Sequence, residues 1–255
     1  MNGTRRGAAS IAAGKRGIGA VPSEIKVLSS TAMKTSMDVL MPRFERASGH
    51  TVAFAYGPSV RITGQVADGE ANDVTIVTDN GIDELIRKGR IAAGSRADIA
   101  RSAMALAVQK GAPKPDISTP EKFKQAMLAA KSLAMSNPVG GGASGAILMR
   151  IFDQLGIAEA MKPKLTFGPG GPAGLIGNFL VRKEVEIGIQ QMPELLAVPG
   201  IDIVGPLPFG DETVSVFSAG LSTGARDADA ARALIAFLTS PEAAAAIRGN
   251  GMEAG

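Results

Sequence analysis

The 255-residue sequence contains no cysteine, no tryptophan, one tyrosine and one histidine. Without cysteine the chain has no disulfide framework, no thiolate ligand for a metal and no thiol nucleophile. The single histidine, His50, argues against a multi-histidine metal site and a histidine-based catalytic triad. We expect His50 to be solvated between a helix and a strand, and we expect neither a metal nor a cofactor. No apolar run approaches the ~20 residues that a membrane-spanning helix requires.

Basic residues exceed acidic ones only near the start of the chain. Residues 1–22 contain Arg5, Arg6, Lys15 and Arg16 and no acidic residue. Subtracting these four positive charges from the net charge of +3 leaves −1 for the rest of the chain. Nucleic-acid binding typically needs a basic face with stacking aromatic side chains. Because this sequence has neither, we expect no nucleic-acid partner.

Residues 1–23 are rich in Gly, Ala and Arg and show no hydrophobic periodicity, so we expect a disordered tail. Arg5-Arg6 resembles the twin-arginine pair of an export signal, but Lys15-Arg16 interrupts the apolar segment that such a signal needs. An export signal, a plain tail and a misassigned start are all compatible with this pattern. A cytoplasmic location therefore stays open.

Short apolar runs alternate with helical patterns over the rest of the chain. Strands are predicted at residues 25–28, 51–55, 73–77, 102–108, 132–135, 165–167, 185–189, 201–204 and 213–218. Two of the predicted helices begin with a capping residue and a proline, at Thr119-Pro120 and Ser240-Pro241. This alternation predicts an α/β fold with a parallel sheet, whose ligands bind beyond the carboxyl ends of the strands.

A glycine-rich turn from Ser136 to Gly145 joins a predicted strand to a predicted helix. Such a turn points several unpaired backbone N–H groups the same way, at the positive end of the helix dipole, which favours an anion. Ser144 adds a hydroxyl at the helix start, and Gly145 lets a ligand approach the backbone closely. The alternative interpretation is a flexible loop whose glycines only supply positive φ angles.

Other strand ends carry side chains suited to an anion. Hydroxyls and amides can donate to a ligand, and an arginine can pair bidentately with a carboxylate. Ordinary capping, side-chain packing and a solvated arginine are the competing interpretations. The residues concerned are Ser30, Thr31, Ser59, Arg61, the glycine-rich turn at 168–174, Gln190 and Gln191.

Taken together, these pieces resemble the type II periplasmic solute-binding proteins, and most closely their molybdate-binding branch. The resemblance runs from Ile25 to the C-terminus and is carried by FERASG at 44–49, YGPS at 56–59, NDV at 72–74, LIRKG at 85–89, SNP at 136–138, LTSPEA at 238–243 and NGME at 250–253. It implies a two-lobed periplasmic-binding-protein-like II fold, with two doubly wound mixed sheets joined by two crossover strands. Lobe 1 would comprise residues 24–104 and 213–255, and lobe 2 residues 105–212.

The resemblance also implies how such a protein works. The ligand would be clamped between the lobes by a hinge motion. The protein would be a monomeric periplasmic receptor that delivers a small anionic ligand to the membrane component of an ABC-type importer. The family's second oxyanion-binding serine matches Ser59, and its second-lobe backbone donors match Ala143-Ser144-Gly145 and Gly171-Pro172-Ala173.

The sequence departs from the molybdate binders at three positions. Their first-lobe serine falls on Ala32, and their cleft tyrosine falls on Gln190 or Gln191. Arg61 stands where those proteins usually have a small neutral residue. Because tetrahedral oxyanions are held there by neutral donors, the added arginine favours a carboxylate ligand over molybdate.

Three functions fit these observations. The first is a solute-binding protein for a small anion, with an organic carboxylate favoured and an oxyanion such as molybdate still open. The second is an enzyme, since aconitate isomerase resembles this branch and its proton abstraction next to carboxylates needs an anion clamp and one base. The third is a cytoplasmic sensor without its DNA-reading part, for which no helix-turn-helix precedes Ile25. The sequence identifies neither the ligand nor a base.

Overall fold

The computed structural model describes residues 22–139 and 142–255. Residues 1–21 of the tail predicted at 1–23, and Gly140 and Gly141 of the glycine-rich turn, lie outside the described residues. The prediction is wrong at Ser23, whose N–H donates to His50 Nδ1 at 3.2 Å and whose carbonyl accepts from Thr51 N–H at 3.0 Å. The described strands are β1 (Glu24–Ser30), β2 (Thr51–Gly57), β3 (Val74–Thr78), β4 (Ala97–Gln109), β5 (Leu133–Ser136), β6 (Leu165–Gly168), β7 (Ile187–Gln191), β8 (Ile201–Pro206), β9 (Val214–Leu221) and β10 (Glu253–Ala254).

Helices follow most of the strands, as the alternating pattern predicts. They are α1 (Lys34–Ser48), α2 (Ser59–Ala67), α3 (Asp79–Arg87), α4 (Pro120–Ala129), α5 (Ala143–Gln154), α6 (Ala158–Met161), α7 (Gly177–Val181), α8 (Met192–Leu196), α9 (Ala228–Leu238) and α10 (Pro241–Gly249). Short 3-10 turns occur at Thr31–Met33, Lys162–Lys164, Pro172–Gly174 and Gly210–Thr213.

The strands form a mixed sheet in the order β2-β1-β3-β9-β4-β7-β5-β6, with β8 and β10 also paired to β4. Strands β1, β2 and β3 are parallel, as are β5, β6 and β7, whereas β9 and β4 run antiparallel to their neighbours. The predicted α/β class with mixed sheets is confirmed. What we expected as two sheets is one curled sheet in two halves.

Strand β4 belongs to both halves. Its first residues, Ala97 to Ala103, pair with β9, and its last residues, Met104 to Val108, pair with β7. We call β1, β2, β3, β9, β10 and the start of β4 the first half, and β5 to β8 and the end of β4 the second half. The chain therefore crosses between the halves along β4 and returns after β8, before β9 begins at Val214.

Apolar clusters cover both faces of each half of the sheet. In the second half, Met104, Leu106 and Val108 of β4 enter one cluster, while Ala105 and Ala107 enter the cluster on the opposite face. This alternation follows from the period of two along a strand. A sheet covered on both faces needs apolar residues at every position, which is why these strands read as continuous hydrophobic runs.

Within the described part of the chain, α4, α9 and α10 begin with a side-chain cap, and none of their capping residues lines the cavity described below. Thr119 accepts a hydrogen bond from Lys122 N–H at 3.2 Å, Asp227 from Ala230 N–H at 3.0 Å and Ser240 from Ala243 N–H at 3.2 Å. Proline occupies the start of α4 and α10, as predicted from Thr119-Pro120 and Ser240-Pro241.

The expectation of a solvated His50 is wrong. His50 is 5% exposed, accepts a hydrogen bond from Ser23 N–H at 3.2 Å, and stacks on Phe44 with ring centroids 6.4 Å apart. The reason is the end of α1, where Gly49 adopts a left-handed conformation with φ 79°. Such a turn brings the next side chain back onto the last turn of the helix.

Among the described residues, no single helix has the length and apolarity to cross a membrane. The bent pair α9 and α10, with 59° between its members, passes that test by length and composition alone.

Candidate functional site

A cavity lies between the two halves of the sheet, at the carboxyl ends of their parallel strands. Its volume is about 30 Å³. Its lining comprises Ser30, Thr31, Ala32, Pro58, Ser59, Thr78, Ser136, Gly142, Ser144, Gly170, Gly171, Gln190, Gln191, Glu194, Ser215 and Phe217. We refer to it as the cleft cavity. It occupies the place that the sheet topology predicts for a ligand.

The wall contributed by the first half consists mainly of hydroxyl groups. Ser30 ends β1, Thr31 begins the 3-10 turn that leads into α1, and Ser59 begins α2. All three side chains are buried. Within residues 22–139 and 142–255, Thr31 Oγ1 has no hydrogen-bond partner. Burying a hydroxyl without a partner costs about 1–3 kcal/mol, so this atom is suited to a ligand.

The wall contributed by the second half begins with two serines. Ser136 ends β5 and Ser144 lies in the first turn of α5, and Ser144 Oγ donates a hydrogen bond to Ser136 Oγ at 3.2 Å. Both hydroxyls therefore face the same space at the start of a helix. Helices α2 and α5 both begin at the cavity without a side-chain cap, so N–H groups at their first residues are available to an anion.

Two glutamines at the end of β7 complete this wall. Gln190 Oε1 accepts a hydrogen bond from Ile176 N–H at 2.8 Å, which leaves its amide nitrogen to donate elsewhere. Gln191 Nε2 donates to Ser215 Oγ at 2.8 Å, and Gln191 Oε1 is buried with no partner in the described part of the chain. Gln191 therefore presents a carbonyl oxygen to the cavity.

Glu194 is the one ionisable side chain in this lining. Burial raises the pKa of its carboxyl to about 8, although hydrogen bonds from Gln191 N–H and from the Gln190 side chain act in the opposite direction. Burial therefore favours the protonated form of this carboxyl. An acid in this state adds no negative charge to the cavity, which stays compatible with an anion.

The two halves touch each other across the cavity. A Cβ added at Gly170, whose φ is +74°, would lie 2.6 Å from Pro58 Cγ. The Arg61 guanidinium lies beside Gly57 of its own half and 3.7 Å from where a Cβ of Gly171 would be. The two halves are therefore in contact beside the cavity.

Seven of the predicted binding residues line the cavity: Ser30, Thr31, Ser59, Ser144, Gly171, Gln190 and Gln191. Arg61, Gly145, Pro172 and Ala173 lie outside its lining, and the side chain of the predicted Ala143 lies outside what the structure describes. Arg61 is exposed at the edge of the cavity, where no described residue forms an ion pair or hydrogen bond with it.

At Gly145 the group that approaches the backbone is the chain's own preceding loop, whereas a ligand was expected there. A Cβ at this position would overlap the carbonyl oxygen of Ser136, and the Gly145 N–H donates to Gly142 O at 3.0 Å. Glycine is therefore required here because α5 starts against its own preceding loop. We had expected the glycine to admit a ligand.

Sequence reasoning missed the cavity residues Thr78, Ser136, Glu194 and Ser215 as site residues. Thr78 and Ser136 end strands, so the rule that located Ser30 applies to them as well. Glu194 follows Gln191 by three residues, the spacing of a capping glutamate, and nothing in that local pattern indicates its pKa. Among residues 22–139 and 142–255, no cluster of three or more His, Asp or Glu side chains is placed to hold a metal ion.

Comparison with known proteins shows the family. Residues 25–253 match the family model described as bacterial extracellular solute-binding protein. The chain belongs to this family. It is 36% identical to an aconitate isomerase of Pseudomonas sp over 235 residues, covering 90% of this chain and 87% of that protein. It is 25% identical to the molybdate-binding protein of Azotobacter vinelandii over 250 residues, covering 94% of each chain.

Solved structures show the same fold. The periplasmic molybdate-binding protein of Azotobacter vinelandii aligns with a TM-score of 0.74 at 18% identity, covering 89% of this chain and 98% of that one. The sulfate-binding protein of Mycobacterium tuberculosis H37Rv aligns with a TM-score of 0.71 at 17% identity, covering 90% and 86%. The resemblance to type II solute-binding proteins of the molybdate-binding branch is thus confirmed, whereas the lobe boundaries at 104/105 and 212/213 stay predictions.

Proposed function

We propose that this solute-binding protein holds a small organic anion with two or three carboxylates in the cleft cavity. The observation that carries the proposal is the convergence of uncharged donors from both halves of the sheet on one space, with Ser30, Thr31 and Ser59 opposite Ser144. Hydroxyls and helix-start N–H groups stabilise an anion in such a site. In the protonated form that burial favours, the Glu194 carboxyl adds a further donor.

The unpaired atoms of the lining support an organic acid over a tetrahedral oxyanion. Gln191 is oriented to donate to Ser215, so its Oε1 can only accept. A fully deprotonated oxyanion such as molybdate carries no proton to donate to this atom. A hydroxyl or a protonated carboxyl group of an organic acid does.

Arg61 supports the same preference from the edge of the cavity. Its guanidinium spans the gap between Gly57 and Gly171, and no described residue pairs with it. A guanidinium and a carboxylate form two parallel hydrogen bonds, which is a stronger and more directional pairing than a neutral donor offers. A ligand long enough to reach from the cavity to its edge would place one carboxylate at Arg61.

Isothermal titration calorimetry with a ligand panel tests this proposal. We expect citrate, tricarballylate and the two aconitate isomers to bind in preference to molybdate, tungstate and sulfate. Tight binding of molybdate without a response to any carboxylate would contradict it. The same titrations give the stoichiometry of binding. Light scattering on the purified protein checks the expected monomeric state.

Delivery to an ABC-type importer from the periplasm is the second part of the proposal. Membership of a family of extracellular solute-binding proteins supports it. Osmotic-shock fractionation of cells that express the full chain is the direct check, with release of the protein as the expected result. Retention inside intact spheroplasts would refute a periplasmic receptor and favour a cytoplasmic role.

An isomerase is the second candidate function, and two observations favour it. The relative named aconitate isomerase shares 36% identity over 90% of this chain. The cavity also contains a titratable group, Glu194, whose pKa of about 8 suits proton transfer near neutral pH. Incubation with cis- or trans-aconitate, followed by proton NMR, tests this candidate, and no interconversion at high protein concentration would eliminate it.

A further inference from the structure

Glu194 is placed to touch whatever the cavity holds. It lies in the first turn of α8, three residues after Gln191, and its side chain forms part of the lining. Helix α8 packs against β4, β7 and β8 of its own half and against the turn Thr31–Met33 of the other half. Glu194 is thus close to the junction where both halves meet the ligand space.

No charged group accounts for the raised pKa of Glu194. The charged side chains on β4 and β8, and the one directly after the turn Thr31–Met33, are engaged elsewhere: Asp98 with Arg96 and Ser218, Arg101 with Asp211, Asp202 with Gly111 N–H, and Lys34 with Asp38. β7 and the turn Thr31–Met33 contain no charged residue. Burial alone raises the pKa of Glu194, and its direct partners are the neutral Gln190 and Gln191.

We propose that Glu194 is the acid–base residue of the cleft and moves one proton along the carbon chain of a bound unsaturated polycarboxylate. This inference rests on the second candidate function above. The Glu194 carboxylate takes a proton from a methylene carbon that lies next to a ligand carboxylate. The released electron pair forms a new double bond to the central carbon, and the old double bond takes the proton back from Glu194 at its far carbon. Atoms and charge balance, and no oxidant or reductant is needed.

The surroundings of the cavity suit this step. Negative charge that develops on the ligand carboxylates during proton removal is met by the hydroxyls of Ser59 and Ser144 and by the helix starts beside them. Pro58 and Gly170 meet at the lining of the cavity, where their contact limits the access of bulk water to the carbanion-like intermediate. Gln190, held by Ile176 N–H, positions the Glu194 carboxyl through its amide.

A purely structural role for Glu194 makes a different prediction. Glu194 accepts from the N–H of the residue that caps α8, an arrangement in which glutamine serves as well as glutamate. Glu194→Gln therefore preserves the cap and the shape of the side chain while it removes the proton-transfer group. The matched control is Glu121→Gln, since Glu121 also lies in the first turn of a helix but is exposed.

The experiment measures three quantities on the full chain and both variants. Proton NMR in D₂O follows the interconversion of cis- and trans-aconitate and the entry of deuterium at their carbon-bound positions. Calorimetry measures the Kd of tricarballylate, which has no double bond and cannot react. We expect Glu194→Gln to lower the rates about 10²–10⁴-fold with the Kd within a few-fold, and Glu121→Gln to change neither.

The pH profile of the unmodified protein provides a check that a structural role would not produce. Because the base must be deprotonated, kcat/KM should rise with pH and level off near the Glu194 pKa of about 8. Glu194→Gln with the rates of the unmodified protein would overturn the assignment of Glu194 while isomerisation itself stands. A protein that binds tricarballylate but neither isomerises nor exchanges would overturn the isomerase candidate and this inference together, and leave the binding proposal standing.

Discussion

The side-chain amide of Gln191 donates to Ser215 Oγ at 2.8 Å and so links the last residue of β7 to the start of β9. These two residues belong to different halves of the sheet, and both line the cleft cavity. The bond holds the Gln191 carboxamide with its unpaired oxygen available to a ligand. Under the proposed function, it would place a ligand contact where the two halves meet.

Ser215→Ala tests the role of this bond. Without the hydroxyl, the Gln191 carboxamide loses its fixed orientation, and we expect the affinity for tricarballylate to fall about tenfold, the equivalent of one hydrogen bond. Calorimetry measures the change. Ser118→Ala, which removes an exposed hydroxyl far from Ser215 in the sequence, serves as the control and should leave the affinity unchanged. Equal affinities in the two variants would show that Gln191 does not depend on Ser215.

Most of the fold was predictable because its strands are continuous apolar runs. The predicted strand at residues 102–108 lies within β4, Ala97–Gln109, and every other described strand except the two-residue β10 overlaps a predicted one. Residues at strand ends, such as Ser30 and Gln191, were predictable for the same reason, since parallel strands bring their carboxyl ends to one edge.

The remaining features depend on contacts between distant residues. The partial burial of Glu194 results from the packing of α8 against both halves of the sheet, which no local pattern reveals. The clash that makes Gly145 necessary is with the backbone of Ser136, nine residues earlier. The burial of His50 was not predictable, because the sequence does not show that the left-handed turn at Gly49 stacks the following ring on Phe44.

Arg61→Gln tests whether the guanidinium at the edge of the cavity attracts the ligand. We expect the affinity for a tricarboxylate to fall about tenfold at low salt, because a charge-assisted pairing is lost. The difference from the unmodified protein should shrink as salt is raised, since Arg61 is exposed and screened. Arg150→Gln, at an exposed arginine of α5, is the control. A tricarboxylate affinity insensitive to both salt and Arg61 would exclude this contact.

Asp73 is expected to make stability depend on acid pH. Its buried carboxylate accepts hydrogen bonds from Lys26 N–H at 2.7 Å, Arg226 N–H at 2.8 Å and the Arg226 guanidinium at 3.1 Å. Burial acts to raise the pKa of Asp73, but these hydrogen bonds outweigh it and hold the pKa below its ordinary value. The stabilisation is therefore complete above the unfolded-state pKa and is lost as the pH falls through the lower folded-state pKa.

Asp73→Ala measures this contribution. We expect the free energy of unfolding at neutral pH to fall by about 3 kcal/mol, because two backbone N–H groups lose their acceptor. Urea titrations at a series of pH values should also show a weaker loss of stability toward low pH than in the unmodified protein. Asp68→Ala, at an exposed aspartate, is the control. A variant with the pH slope of the unmodified protein would show that Asp73 is not the titrating group.

Closure of the two halves is tested at Gly170, where a methyl group would meet Pro58. The backbone at Gly170 has φ +74°, so Gly170→Ala introduces strain as well as the clash. Gly94→Ala separates the two effects, because Gly94 has φ +76° and nothing within 4 Å of an added Cβ. Both substitutions should lower the free energy of unfolding by a similar amount, about 1 kcal/mol.

Only Gly170→Ala should also affect the ligand. Since its methyl group lies against Pro58 in the closed arrangement alone, we expect it to shift the protein toward an open form and to weaken tricarballylate binding at least tenfold. Small-angle scattering should show a radius of gyration that no longer decreases when ligand is added, whereas Gly94→Ala contracts like the unmodified protein. Full contraction and full affinity in Gly170→Ala would mean that the contact between Pro58 and Gly170 is not part of the ligand-bound state.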